Sequence, residues 1–328
     1  MIVCKFGGSS TATKQAVENV KKLKSDNRVV WVFSAIGKEN KSDVKTTDLL
    51  ISYTKQKANK VNIKQQIIKK VEKLCRYTNI KLNIPQIITT YCKEYEKTGD
   101  KDWFISRGEF LTTQIMALYL NIKFIPAEQV LFLENNKLNL TKTEKAIKRL
   151  VLKYKQIAIP GFYALNNIHN NENKQSSIKL FSRGGSDYSA CVLAKCLGAS
   201  MCENWTDVDG IYPINPKLQK SKVLQQISYM DLDTMVKMDA KVIHKNCAEL
   251  LNGSGTILQV RNILNLNNVG TLVSSTYPYH TEFLSYLKRK SNCVLVQGLK
   301  NGGKIKLTLP ISDFQKGFKY LQKTKKQL

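Results

Sequence analysis

Two short stretches, far apart in the chain, repeat one layout and restrict the fold more than anything else in the sequence. At the N-terminus the apolar run Ile2 to Phe6, carrying Lys5, passes directly into Gly7-Gly8-Ser9-Ser10, and a helical pattern begins near Thr13. Farther on, Leu180-Phe181-Ser182 leads through Arg183-Gly184-Gly185-Ser186-Asp187 into a helix-period run from Asp187 to Leu197, with Tyr188, Cys191, Val192 and Ala194 at helical spacing and Gly198 as a fitting stop. A Gly-Gly pair alone is more often an ordinary αβ turn whose glycines serve backbone angles. The same layout twice says more. A strand that ends in glycines and turns into a helix leaves backbone N–H groups free at the positive end of the helix dipole, which favours an anion. Two such turns would converge at the C-terminal edge of a parallel sheet, where open α/β folds bind ligands. Neither turn matches Gly-x-x-x-x-Gly-Lys-Ser/Thr, so a Walker-type loop is excluded.

The rest of the chain fits an α/β class with an open, mainly parallel sheet sandwiched by helices. Val29 to Phe33 is a continuous apolar run suited to a buried parallel strand, ended by Ser34-Ala35-Ile36-Gly37. Lys38 to Lys45 is charged and is expected to be a mobile loop, after which Thr46 or Thr47 is expected to cap a helix. Ala58 to Lys101 reads as helical, broken at Pro85 and Gly99. Ser106-Arg107-Gly108-Glu109 is expected to open a further helix, its Ser and Glu spaced as a capping box. Strands are expected over Lys123 to Ala127, Ile157 to Phe162 and Met201 to Trp205, a helix from about Thr143 to Tyr154, and a polar turn over Asn166 to Ser177. No internal repeat is visible at a fixed period.

Composition removes several classes. With 328 residues, 42% of them hydrophobic, the chain is long enough for a sizeable core. No apolar run approaches the ~20 residues that cross a bilayer, so no membrane partner is expected. The start lacks a basic-then-apolar leader pattern. Eight cysteines are scattered without a Cys-x-x-Cys pair, and only three histidines accompany them. That usage suits reduced, buried thiols in a cytoplasm and no zinc site. The formal charge of +27 is spread through the sequence rather than gathered into a basic stripe. It therefore reads as composition bias, with no nucleic-acid partner expected.

Four segments in register resemble the successive signatures of aspartate kinases, members of the amino acid kinase superfamily. They are Lys5-Phe6-Gly7-Gly8-Ser9-Ser10, Ser106-Arg107-Gly108-Glu109, Arg183-Gly184-Gly185-Ser186-Asp187 and Trp205-Thr206-Asp207-Val208-Asp209-Gly210-Ile211-Tyr212. The resemblance covers Met1 to Ser275. It implies a kinase domain over 1–275, with a substrate-side lobe of about 1–155 and a nucleotide-side lobe of about 156–275. Residues 276–328 would form a short basic extension, at most a reduced ACT-like remnant, with strands over Val294 to Val296 and Lys304 to Leu309.

By the same resemblance, Lys5, Asp187 and Lys241 are the catalytic group. Thr47, Glu109 and Arg183 bind the amino acid. Gly7, Gly8, Ser9, Ser34, Gly184, Gly185, Ser186, Thr206, Asp207, Tyr212 and Lys217 frame ATP. Asp187 would orient the lysines or help hold Mg²⁺, with no metal ligand directly assigned. The implied reaction is ATP-dependent phosphorylation of the L-aspartate side-chain carboxylate by a cytoplasmic homo-oligomer, a dimer. Such a carboxylate is already ionised at neutral pH and needs no general base. Glutamate or acetylglutamate kinases are the nearest alternatives, and the Glu109 and Arg183 motifs argue against them. A weak regulatory paralogue is the other, supported by three departures: Asp239 where the family has glycine, Lys245 where it has proline, and Lys217 where it has arginine. Because paired ACT domains do not fit after Ser275, insensitivity to lysine and threonine is expected.

Overall fold

The computed structural model describes residues 1–56, 58–170, 173–212, 221–237, 243–277, 283–290, 293–300 and 303–310. From the N-terminus run β1 (Ile2–Phe6), α1 (Lys14–Lys22), β2 (Arg28–Phe33), α2 (Thr46–Lys55), α3 (Lys60–Thr78), α4 (Ile84–Thr98) and α5 (Lys101–Leu120). Then come β3 (Lys123–Phe124), β4 (Phe132–Glu134), β5 (Lys137–Leu138), α6 (Leu140–Lys153), β6 (Ile157–Pro160), and the hairpin β7 (Tyr163–Asn170) with β8 (Asn173–Leu180). α7 (Gly185–Leu197), β9 (Met201–Thr206), β10 (Gln226–Ser228), α8 (Tyr229–Lys237), α9 (Cys247–Leu251), β11 (Ile257–Asn262) and β12 (Thr271–Ser274) follow. Last are β13 (Phe283–Lys290), β14 (Cys293–Lys300) and β15 (Gly303–Pro310), an antiparallel three-stranded sheet. Two of these last strands contain the segments expected from sequence; β13 was not read there.

The main sheet has the order β10-β12-β11-β9-β1-β2-β6-β3. β1 pairs in parallel with β2 on one side and β9 on the other, and only β12 and β10 run against the rest. From β1 the chain builds outward through β2 and β6, then crosses to build the other half from β9. The strand order reverses at β1, so the crevice lies beyond its C-terminal end, where Gly7 and Gly8 stand.

The two-residue period of a strand sorts the side chains. Val3, Val30, Val32 and Cys202 face the layer of α6 and α7, while Cys4, Phe6, Trp31, Phe33 and Trp205 face α1, α3 and α5. Phe6 stacks on Trp31 and Phe33 at centroid distances of 5.3 and 5.0 Å. Lys5 shares the Val3 face, so it arrives at the crevice buried among apolar neighbours. On the opposite face the Glu203 carboxylate accepts hydrogen bonds from Arg28 Nε and Nη2 at 2.9 and 2.8 Å, and from Trp205 Nε1 at 2.9 Å. This buried group is fully engaged, so its charge is structural.

Several expectations are corrected. α5 begins one and a half turns early, because Asp100 Oδ1 accepts from the Trp103 amide at 2.9 Å and caps it. Ser106 and Glu109 therefore lie inside the helix, and the capping-box reading fails. Neither threonine caps α2; both lie within it, after Lys45. α6 starts at Leu140, where Asn139 caps the Lys142 amide at 2.8 Å. β3 stops before Pro126, which leads into a short 3₁₀ turn. The Asn-rich stretch 166–177 is mostly hairpin strand rather than turn. The segment 38–45 is held rather than free: Lys70 pairs with Asp43 at 2.6 Å, and Lys73 pairs with Glu39.

Candidate active site

Strand β1 delivers Lys5 to the crevice, and α7 delivers Asp187 from its first turn. The two meet at 2.7 Å, with side chains 10% and 12% exposed. Motifs distant in sequence are thus joined by one buried ion pair. The ammonium lies against the first glycine turn, since a Cβ placed on Gly7 would stand 3.3 Å from Lys5 Nζ. The Gly7 amide donates to Trp205 O at 2.9 Å and Ser10 Oγ donates to the same oxygen at 3.4 Å, tying the turn to β9.

The second strand's exit packs directly on this turn. Gly37 N–H donates to Gly8 O at 2.8 Å, and a Cβ on Gly37 would fall 2.5 Å from the Gly8 carbonyl carbon. No side chain fits at either position, and the half-buried Ser34 at the end of β2 donates its amide to Phe6 O at 3.0 Å, just before the Gly7-Gly8 turn. At the other glycine turn, Gly184 adopts φ +86° and α7 starts at Gly185. A Cβ on Gly161 would meet Ser186 Cβ at 2.7 Å, so the end of β6 lies on the start of α7. Phe162 takes a left-handed φ of 77°, and its amide donates to Ser189 Oγ at 3.1 Å. Backbone strain at a bulky residue marks a tightly determined corner.

Helix α5 buries Glu109. Its carboxyl is 3% exposed, Oε1 accepts from Thr47 Oγ1 at 3.5 Å, and Oε2 has no hydrogen-bond partner. Burial pushes its pKa up to about 8, against the pull of the Ala35 amide and the Thr47 hydroxyl. Gly108 gives α5 room to approach, since a Cβ there would touch Leu50 at 2.9 Å and Ala35 at 3.1 Å. Such a carboxyl is stored largely neutral at pH 7 and becomes a strong acceptor once a cation arrives. Arg183 is exposed on its turn, free of any carboxylate among the described residues.

Thr206 Oγ1 donates to Asp207 Oδ1 at 3.1 Å, and Asn262 Nδ2 donates to Asp209 Oδ1 at 2.9 Å, shaping the loop after β9 that ends at the half-buried Tyr212. Lys217, Asp239 and Lys241 lie outside the described residues; Lys245 is exposed. Sequence reasoning missed Asn204. It stands opposite Lys5 in the β1–β9 register, is 4% exposed, and its Oδ1 has no partner. An asparagine at an inward position of a central strand was the available signal. Among the described residues no group of three or more His, Cys, Asp or Glu side chains is placed to hold a metal ion. A divalent ion here would be held chiefly by the ligand's own phosphates, with Asp187 as the protein carboxylate nearest the lysine. Among the described residues no helix is long and apolar enough to cross a membrane.

A parallel sheet whose switch point carries two glycine turns, a buried lysine–carboxylate pair and an acidic acceptor defines a phosphate-handling enzyme class. The sequence model of the amino acid kinase family matches residues 1–262, and the chain belongs to that family. Among curated relatives, Aspartokinase 3 of Bacillus subtilis is 29% identical over 84% of this chain and 64% of its own length. The bifunctional aspartokinase/homoserine dehydrogenase of Buchnera aphidicola is 28% identical over 87% of this chain and 38% of its own length. The chain thus spans 38% to 64% of the length of these relatives. The crystal structure of Clostridium acetobutylicum aspartate kinase superposes with a TM-score of 0.76 at 26% identity, covering 100% of this chain and 83% of that one.

Proposed function

We propose that the chain transfers the γ-phosphoryl group of ATP to the side-chain carboxylate of L-aspartate, giving 4-phospho-L-aspartate and ADP. The observation that carries this reading is the 2.7 Å Lys5–Asp187 pair, which joins the two glycine turns, with Ala35 packed against both Gly8 and the Gly108 that precedes the buried Glu109. The likeness to aspartokinases over most of the chain supports the choice of acceptor.

Phosphoryl transfer needs placement and positive charge more than covalent help. A carboxylate oxygen of aspartate attacks the γ-phosphorus, the bond to the bridging oxygen breaks, and ADP leaves with that electron pair. Lys5, with Lys241 by resemblance, neutralises charge that grows on the transferring oxygens. The Gly8, Gly184 and Gly185 amides, with Ser9, Ser34 and Ser186, cradle phosphate, while Gly7, its own amide held by Trp205 O, keeps the turn clear of a side chain next to Lys5. Thr206, Asp207, Tyr212 and Lys217 frame the nucleotide. Glu109 receives the substrate ammonium, Thr47 lines its pocket, and Arg183 grips the α-carboxylate with its planar fork. Mg²⁺ would travel with ATP and screen its phosphates. Residues 1–275 act as the catalytic unit. The seven described cysteines are all free and buried, which supports a reducing, cytoplasmic setting. A dimer is the assembly this reading takes, checked by sedimentation. ADP release measured with aspartate, glutamate and acetylglutamate tests the acceptor. Aspartate should exceed the others by at least a hundredfold in kcat/KM; preference for either alternative removes the reading.

A further inference from the structure

The turn that carries Arg183 is fastened by a residue from another part of the chain. His244 Nε2 and Ser182 Oγ lie 2.7 Å apart. The Asn246 amide donates to His244 Nδ1 at 3.2 Å. A nitrogen that accepts carries no proton, so the imidazole is the neutral Nε2–H tautomer and donates to Ser182. The ring is stacked on Tyr188 with centroids 5.0 Å apart and planes 29° apart. A Cβ on Gly184 would come within 3.4 Å of His244 Cβ. His244 therefore meets the turn through its ring at Ser182 and Tyr188 and through its Cβ at Gly184, positions that bracket both Arg183 and Asp187. His244 is 5% exposed. Burial lowers its pKa from the usual histidine value, with Asp187 opposing that shift and Lys245 adding to it. The neutral form is the resting one at pH 7.

Arg183 is exposed, so its long side chain surrenders much freedom on gripping a ligand unless its backbone is already set. Asp187 is anchored by Lys5 from one side. Among the described residues no ion pair holds Arg183 itself; what is held is the residue before it. We propose that His244 is a positioning residue: by donating Nε2–H to Ser182 it fixes the direction in which the Arg183 turn presents its guanidinium to the substrate α-carboxylate. The latch also ties this turn to the segment 243–246. This inference rests on the function proposed above for Arg183.

Ser182 is exposed and its replacement leaves the core intact. Ser182→Ala should raise KM for aspartate about fivefold, the worth of one hydrogen bond, with KM for ATP and kcat within twofold of wild type. His244→Leu should do the same or slightly more. His244→Gln, whose amide can still donate to Ser182, should recover most of the loss. The Ser182→Ala/His244→Leu double variant should be no worse than His244→Leu alone. A KM for aspartate unchanged in Ser182→Ala, additive losses in the double variant, or a shift in KM for ATP instead would each overturn the proposal. Imidazole nitrogen NMR reads the latch without catalysis, aided by a total of three histidines in the chain. It should show the Nε2–H tautomer in wild type and a changed Nε2 signal in Ser182→Ala; an Nδ1–H tautomer would refute the latch. Wild-type protein inactive on aspartate but showing that signal would sink the functional reading and leave the contact standing.

Discussion

Replacing Glu109 with glutamine should make the free protein more stable and the enzyme worse. The folded carboxyl has a pKa of about 8, raised by burial from an ordinary value of 4.5. Between those two values the folded state holds a proton that the unfolded state has released. Stability therefore falls as pH rises through this window, by about 1.4 kcal/mol per pH unit, and about 3 kcal/mol is lost by pH 7. Glutamine keeps an acceptor for the Thr47 hydroxyl and never ionises. Its variant should match wild type near pH 4.5 and exceed it in Tm increasingly towards pH 8. Substrate binding has the opposite preference, because an ammonium needs the ionised carboxylate. At pH 7 roughly a tenth of free enzyme is ionised, so KM for aspartate should fall about tenfold per unit between pH 6 and 8 and then level. Calorimetry in two buffers should show nearly one proton released on binding at pH 7. Glu109→Gln should lose both the slope and the proton release, with KM higher by about two orders of magnitude. Parallel melting curves for the two proteins from pH 4.5 to 8, or a flat KM profile in wild type, would refute the reasoning.

The loop between Gly37 and Thr46 is pinned to α3 by Lys70–Asp43 and Lys73–Glu39. Lys70→Ala should raise KM for aspartate about two- to fivefold at low salt and much less at 0.5 M salt in the assay, with partial recovery in the charge-swapped Asp43→Lys/Lys70→Asp pair. Arg28→Ala leaves the buried Glu203 carboxylate without its cation, the two side chains being 16% and 2% exposed. Chemical denaturation should show a loss of about 3–5 kcal/mol, while the folded fraction keeps the wild-type KM values.

Much of the site was legible because its elements announce themselves locally. A glycine pair after an apolar run fixes the turn, and the alternation Val3–Lys5 against Cys4–Phe6 sends the lysine to one face. The pairing of Lys5 with Asp187 was legible only as convergence at a sheet edge; its 2.7 Å distance is a product of β1 lying beside α7. Helix starts were misread where a stronger cap stood upstream. Asp100 outcompetes Ser106, and Asn139 opens α6 before Thr143. The strap over 38–45 looked mobile because its charges were read alone, while their partners sit a helix away on α3. Ser182 and Asn204 escaped for the same reason: each is ordinary in its own segment and gains meaning from a neighbour brought by the fold. His244 reads from sequence as a packed structural histidine rather than a base, and it is buried; its partner on the Arg183 turn is what the fold adds.

The account stands on Lys5 and Asp187 acting together on a phosphoryl group moving to aspartate. Trapping the acyl phosphate with hydroxylamine, in the presence of ATP and aspartate, measures that step directly. Wild type should form aspartyl hydroxamate only when ATP is present. Lys5→Ala and Asp187→Asn should each reduce the rate by about a thousandfold or more while remaining folded by circular dichroism. Hydroxamate formation at wild-type rates in either folded variant would contradict the account.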